Sequence, residues 1–376
     1  MTTGRNRRVI SARRFPRTVA IALGLLALLS LPASAEPRVD YLVPNHGPPE
    51  GGTPVVIIGA GFEAGATVTF EGVDATGVTV IDANTITATT PDVTAAVTGA
   101  VVVTNPDSSE DTREGAYLFV STIYYVDKAT GDNANDGLTP EAAKLTIRNA
   151  LSVYSAATPE DPPIEVRVAE GHYAENVILY YNVVLEGGWN SGFTERDPES
   201  YITVIDGRRE DFVARSYGLG VSPILDGFTI LGGERVAISG GFYATDDNVT
   251  LSNNVFVGNR SGGVGGAFYV WLQDEAPAPT LRNNVFVGNR ADLTGGAIGF
   301  STYYEALYPH DFVPTPTIAD NLIVGNRAWE GGAVVIYPTP DDSVGVRMLG
   351  NRVIENRAGG SGGGVYLLSL QSNQVE

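Results

Sequence analysis

The stretch Asn254-Val255-Phe256-Val257-Gly258-Asn259-Arg260 decides the fold, because it returns three more times. Asn284 to Arg290 repeats it letter for letter, and Asn321 to Arg327 and Asn351 to Arg357 follow as looser copies, at spacings of 30, 37 and 30 residues. Each copy is followed by glycines and an apolar residue: Gly265-Gly266-Ala267-Phe268, Gly295-Gly296-Ala297-Ile298, Gly331-Gly332-Ala333-Val334 and Gly362-Gly363-Gly364-Val365. A degenerate turn, Leu225-Asp226-Gly227-Phe228-Thr229-Ile230 with Gly240-Gly241-Phe242, lies about one period upstream. Units this short cannot bury a core alone. They lack helical periodicity and alternate apolar residues over short runs, so each must stack on its neighbours. Phe256, Phe286, Ile323 and Val353 are then expected in one interior column at ~4.8 Å spacing. Asn259, Asn289, Asn326 and Asn356 should form an amide ladder at a turn, a place where asparagine tolerates left-handed backbone and bonds the next rung. The longer second spacing, between the second and third copies, predicts an outward loop around Tyr303 to Pro316, and the chain from Ile164 onward has room for roughly seven to nine rungs.

Outward from the repeat, composition bounds the rest. The chain has 376 residues, 24 Lys and Arg against 43 Asp and Glu, a net charge of -19, no cysteine and 45 glycines. That acidity argues against nucleic acid and anionic lipid as partners. Without cysteine, cohesion must come from packing and hydrogen bonds, and thiol enzymes and zinc-thiolate proteins are excluded. The first 35 residues carry arginines and no acid, then an apolar run from Val19 to Leu31, then Ala33-Ser34-Ala35. This is the pattern of a secretory signal, with an apolar core short of the ~20 residues that span a bilayer. The pairs Arg7-Arg8 and Arg13-Arg14 raise a twin-arginine route, but the residues after each fit that motif poorly. An exported protein with no transmembrane segment in its mature chain is expected, placed outside the cell, at its surface or in the periplasm.

Residues 36–120 alternate with period two and are broken by Gly, Pro, Asn and Asp, as in Pro54-Val55-Val56-Ile57-Ile58 and Ala66-Thr67-Val68-Thr69-Phe70. Short strands with turns at this spacing predict a small antiparallel sandwich. Pro44-Asn45-His46-Gly47-Pro48-Pro49-Glu50-Gly51-Gly52-Thr53, Gly59-Ala60-Gly61-Phe62 and Gly65 to Gly72 resemble the IPT/TIG immunoglobulin-like domain, as does Val101-Val102-Val103-Thr104-Asn105-Pro106-Asp107. That resemblance implies a spacer or protein-contact module. His46, a lone histidine beside Gly and Pro, is expected to be a turn residue rather than a ligand.

Residues 121–163 link the two parts. In the loop Asp127 to Gly137, Asp132, Asn135 and Asp136 supply oxygens, so a calcium ion is the one cofactor the sequence suggests. Counting from Asp132, however, puts Ala134 at position three and Ala143 at position twelve, and the EF-hand pattern fails. Thr139 can cap a helix with Pro140 at its first position, and Ile147, Ala150, Leu151 and Tyr154 follow at helical spacing. One amphipathic helix should cover the first rung, since a bare solenoid end exposes apolar side chains and unpaired edge groups. Tyr124-Tyr125-Val126-Asp127, Lys144-Leu145-Thr146-Ile147 and Val168 to Asn176 resemble the entry of right-handed parallel β-helix proteins of the pectate-lyase-like superfamily. The fold class is therefore all-β: an Ig-like sandwich, then a right-handed parallel β-helix over 164–376 with an N-terminal capping helix.

The paired signatures Phe-x-x-Asn and Gly-Gly-Ala followed by an apolar residue resemble the polymorphic outer-membrane protein repeat over about residues 225 to 368. The third copy departs at Ile323, and the fourth at Val353 and Gly364. The resemblance implies a surface-exposed or secreted passenger with adhesive character. No terminal barrel or cap follows the last repeat, so the solenoid is expected to continue past Glu376 or to be attached by other means.

Two function classes follow. In the first, the protein binds without catalysis. Arg260, Arg290, Arg327 and Arg357 each follow the ladder asparagine, and in register they would offer bidentate contacts to carboxylate or sulfate groups of a glycan or to a surface protein. Against it, nearby acids such as Asp292, Glu330 or Glu355 could pair each arginine. In the second, the β-helix is a carbohydrate-active enzyme, a polysaccharide lyase or glycoside hydrolase, whose nearest constellation is Asp206, Arg208, Arg209 and Asp211. Asp206-Gly207 and Asp226-Gly227 are turn dipeptides first. Tyr180, Tyr181, Trp189, Phe193, Tyr303 and Tyr304 could stack on sugars, although Trp189 after Gly187-Gly188 fits a solenoid corner. Asn248-Val249-Thr250 is formally a glycosylation sequon.

Overall fold

A computed structural model describes residues 36–93, 98–155, 158, 161–217, 222–245, 247–272, 278–302, 315–337 and 346–367. The expected leader, Tyr303, Tyr304 and nearly all of the outward loop lie outside the described residues.

The N-terminal part is a sandwich of two sheets. Strands Arg38–Val43, Pro54–Ala60, Thr85–Thr89 and Thr76–Asp82 form an antiparallel sheet of four. Strands Glu110–Phe119, Thr98–Thr104, Thr67–Phe70 and Val73–Asp74 form the second, to which His46–Gly47 adds a short parallel edge. Alternation does the work: in Pro54–Ala60, Val55 and Ile57 point into a core with Leu42, Phe70, Ile86, Val101 and Tyr117.

Beyond Ser121 the described strands pair with one another in parallel, each with its equivalent in the next rung. Eight strands form the sheet nearest the sandwich: Thr122–Val126, Ile164–Ala169, Val183–Trp189, Ile224–Asp226, Thr250–Ser252, Thr280–Arg282, Thr317–Ala319 and Arg347–Leu349. A second sheet of seven runs from Gly171–Tyr173 to Arg352–Ile354, and a closing sheet of seven from Val177–Tyr180 to Val365–Leu367. Between these two sits a narrow sheet of five, from Glu234–Arg235 to Arg357–Ala358. This is a parallel β-helix carrying an Ig-like sandwich.

Phe256, Phe286, Ile323 and Val353 pair in register in the second sheet. The first three are fully buried, and the rings of Phe256 and Phe286 stack at 5.0 Å with planes 10° apart. Leu225, Leu251, Leu281 and Ile318 line the opposite wall. Asn259, Asn289, Asn326 and Asn356 form a continuous chain of amides. Asn289 Oδ1 accepts from the Asn259 backbone N–H at 3.0 Å and from its Nδ2 at 3.2 Å, while Asn289 Nδ2 donates to Phe256 O and Asn326 Oδ1. The left-handed backbone is not at these asparagines but one residue earlier, at Gly258, Gly288, Gly325 and Glu355. The asparagine has to turn inward to reach the neighbouring rung, so the preceding residue takes the turn. A second ladder, Asn254, Asn284, Asn321 and Asn351, runs parallel to it at the preceding corner.

The expected single capping helix is two pieces. Thr139 does cap, accepting from Ala142 N–H, but only a 3-10 turn, Pro140–Ala142, follows. The chain then runs extended as Lys144 bridges Val126, with Lys144 N–H donating to Tyr125 O and Asp127 N–H to Lys144 O. Asn133 Oδ1 holds the N–H groups of Leu145 and Thr146, and the helix restarts as Ile147–Ser152 with Thr146 as its cap. Backbone pairing with the first strand thus outweighs the propensity of this segment to remain helical. The short helix still buries Ile147, Ala150 and Leu151 in the core of the first rungs.

Sandwich and solenoid belong to one compact unit. Leu118 and Val120 pack on Val184 and Ile224, a small apolar contact. Polar bonds surround it: Asn45 Nδ2 donates to Thr250 Oγ1 at 3.3 Å, Arg113 to Thr280 Oγ1 at 3.2 Å, and Arg347 pairs with buried Asp40.

Candidate functional site

Where the sandwich meets the eight-stranded sheet it leaves a cleft of about 580 Å³, lined by Tyr41 and His46 on one side and by Glu186, Arg196, Asp226 and Arg282 among others on the other. Parallel pairing makes the solenoid wall: Glu186 and Asp226 occupy equivalent outward positions of adjacent rungs, and Ser252 and Arg282 continue the row. His46 Nε2 lies 3.2 Å from Glu186, and Arg196 bridges Glu186, at 3.6 Å, and Asp226. Asp226 also accepts from Ser252 and, at 2.7 Å, from Asn253 Nδ2. Burial alone would raise the Glu186 carboxyl; the hydrogen bond and charge of His46, then Arg196 and Arg167, instead bring it down to about 2. Burial likewise pushes the His46 imidazole down, and the hydrogen bond and charge of Glu186, with Glu165 and Asp226, reverse it, leaving its pKa above the ordinary value. The Glu186 carboxylate, clamped in this way, is held ionised against its burial, and it holds the His46 proton in turn. The cleft works as an electrostatic joint. His46 was expected to be an isolated turn residue; the corresponding acid lies 140 positions away and becomes visible only once the rungs stack.

The four arginines stand in one column of the narrow sheet, paired Arg260 to Arg290 to Arg327 to Arg357, with Glu234 one rung above. The column is not uniform. Arg260 reaches Glu234 at 3.6 Å and Asp292 at 3.2 Å, and Arg290 reaches Asp292 at 3.0 Å. Arg327 and Arg357 are exposed, with no acid at ion-pair distance among the described residues. Glu330 makes no ion pair with Arg327 among the described residues.

Asp206, Arg208, Arg209 and Asp211 do not converge. Asp206 faces His172 at 3.1 Å and accepts from the Arg208 backbone N–H. Arg208 pairs with Glu210 at 3.1 Å, Arg209 reaches Glu234 at 3.9 Å, and Asp211 meets Arg235 at 3.3 Å. Arg208 and Arg209 both have positive φ, as a tight turn demands. In the link, Asp132 and Asp136 accept from the N–H groups of Ala134 and Leu138, and Asn135 donates to Ala143 O. Among the described residues no three His, Cys, Asp or Glu side chains are grouped to hold a metal. Trp189 is covered by the Arg167 guanidinium at 4.6 Å and packs near Phe193. Asn248 of the sequon is buried and bonded to Ser222.

Residues 37–120 match the model of the IPT/TIG domain. None of the curated proteins matches the chain. Among solved structures, the plexin A4 extracellular region is 22% identical over 23% of this chain and 9% of that chain, with a TM-score of 0.21. Gamma-CGTase from alkalophilic Bacillus clarkii is 28% identical over 25% of this chain and 14% of its own, with a TM-score of 0.21. An auxiliary nutrient binding protein from Bacteroides ovatus is 23% identical over 24% and 22%, with a TM-score of 0.20. The chain thus spans under a quarter of each. Among the described residues no helix is long and apolar enough to cross a membrane.

Proposed function

We propose that the protein is an exported, non-catalytic binding protein of the pectate-lyase-like β-helix kind, built on polymorphic outer-membrane protein-type repeats. Its sandwich, residues 36–120, steadies one side of the solenoid; the linking segment 121–163 and the solenoid from 164 on present the arginine face to a glycan or cell-surface partner. The observation that carries this reading is the arginine column. On a chain of net charge -19, four guanidiniums stand in register on an exposed edge, and two of them have no acid partner among the described residues. Unpaired arginines at rung spacing repel one another, so a face that keeps them is relieved by an outside anion. The reading calls for no cofactor. It is tested by passing the protein over immobilised uronate and sulfated polysaccharides, then incubating it with uronate polysaccharides and calcium while following unsaturated products and reducing ends. Retention without turnover is the expected result; turnover overturns the reading in favour of a lyase or hydrolase.

A further inference from the structure

The residue two places after each ladder arginine changes down the column, from Gly262 to Asp292 to Trp329 to Gly359. Ala328 points inward and is buried, so Arg327 and Trp329, on either side of it, share the outward face. The same alternation places Arg357 and Gly359 outward on the next rung. The Trp329 indole lies against the backbone of that rung. A Cβ on Gly359 would stand 2.8 Å from indole Cε3, and one on Gly360 3.2 Å from Nε1. The rest of the side chain is open, at 61% exposure. In the rung above, the same count from the arginine gives Asp292, which neutralises Arg260 and Arg290. Replacing that acid by tryptophan therefore does two things at once: it frees the arginines below and sets an aromatic plane beside them.

We propose that Trp329, Arg327 and Arg357 form a subsite for one anionic sugar residue, a uronate or a sulfated pyranose, within a longer polysaccharide. This rests on the binding reading above and names its ligand class and contact point. The negative face of an indole attracts the C–H face of a pyranose, and a ring already resting on glycine loses little freedom on binding. Two guanidiniums about 5 Å apart along the rung axis match the oxygens of a carboxylate or sulfate in bidentate fashion. Neutral sugars would gain the stacking alone.

The test uses the full exported chain and three immobilised probes: polygalacturonate, dextran sulfate and neutral dextran. Wild type is expected to bind one or both polyanions and not dextran, and the two polyanions separate the uronate from the sulfate source. Trp329→Ala and the pair Arg327→Ala with Arg357→Ala should each weaken binding about tenfold or more, while Arg260→Ala with Arg290→Ala changes it less than about threefold. Gly359→Val gives a separate check, since it displaces the indole and removes no ligand contact. Thermal unfolding of each variant shows that the fold survives. If wild type binds a polyanion but Trp329→Ala binds equally well, or both arginine pairs weaken binding equally, the subsite is overturned and the binding reading stands. Binding to dextran as tight as to the polyanions also overturns the anionic class. If wild type binds none of the probes, the subsite and the acidic-glycan form of the reading fall together.

Discussion

The His46 imidazole of the sandwich and the Glu186 carboxylate of the solenoid stand 3.2 Å apart across the junction, both largely shielded from water. The folded state holds the imidazole proton more tightly than the unfolded chain does, because Glu186 more than offsets the effect of burial. The stabilisation is therefore complete below the ordinary histidine value of ~6.5 and is lost as pH rises through the elevated folded value. Glu186 has the opposite sign: its depressed pKa contributes above the ordinary carboxyl range and is lost as pH falls toward about 2. The joint should be firmest in the mildly acidic window between these limits. Thermal unfolding of the wild type at pH 5.5 and pH 8.5 should show a lower midpoint at the alkaline value, and His46→Gln should flatten that difference. An unchanged slope in the variant would remove His46 as its source.

The amide ladder predicts a position-dependent cost. Asn289 is buried and engages four groups in neighbouring rungs, among them the Asn259 backbone N–H and the Phe256 carbonyl. Asn289→Ala takes the partner from the Asn259 backbone N–H and the Phe256 carbonyl, whereas Asn259 Nδ2 keeps Ile230 O and Asn326 Oδ1 keeps the residue 289 backbone N–H. With two groups orphaned at ~1–3 kcal/mol each, a loss of roughly 2–5 kcal/mol is expected. Asn356 in the last described rung is half-buried, so water can replace its bonds to Asn326 and Ile323, and Asn356→Ala should cost about 1 kcal/mol. Urea unfolding of both variants measures the contrast, and equal losses would contradict it.

Much of this architecture is legible because stacking makes a repeat in space from a repeat in sequence. The spacing of Asn254 to Arg260 against its copies is enough to align Phe256 with Phe286 and Arg260 with Arg290. The second ladder was legible too, since Asn254, Asn284, Asn321 and Asn351 open the same aligned segments. What could not be read depends on contacts between unlike parts. Glu186, Arg196 and Asp226 come together with His46 only because the sandwich folds back on the solenoid, and nothing near any of them in sequence marks that return. The helix break at Lys144 is similar: local propensity favours continuing, and a backbone pair with Tyr125 decides otherwise. Trp329 carried a signal that alignment could have caught, a bulky aromatic where other copies have Gly or Asp.

The interior column can be tested by volume. Phe286 is fully buried between Phe256 and Ile323. Phe286→Ala opens a cavity and should cost roughly 3–5 kcal/mol. Phe286→Ile installs the residue that the next rung already uses at this position and should cost less than about 1.5 kcal/mol. Equilibrium unfolding midpoints with an unchanged denaturant slope would establish both values as packing effects.

Two glycine columns that look alike in sequence should respond in opposite ways. The second glycine of each pair sits where backbone meets backbone: a Cβ on Gly296 would lie 2.2 Å from Gly332 O, and one on Gly266 2.3 Å from Gly296 O. No rotamer relieves a clash with a main-chain oxygen, so Gly296→Ala forces adjacent rungs apart. A loss of ~3 kcal/mol, or failure to fold, is expected. Gly288 is different: its φ is +63° and a Cβ there meets nothing within 4 Å, so the only penalty is the left-handed backbone. One rung further down from Gly325, the equivalent place is held by Glu355 at φ 54°, which shows that a side chain is accommodated. Gly288→Asn should therefore cost less than about 1 kcal/mol, because asparagine enters this conformation readily and the lower chain entropy of the unfolded state offsets part of the strain. Comparing the unfolding midpoints of the two variants decides the matter, and a Gly288→Asn protein as unstable as Gly296→Ala would mean that turn geometry, rather than the close approach of rungs, fixes the glycines.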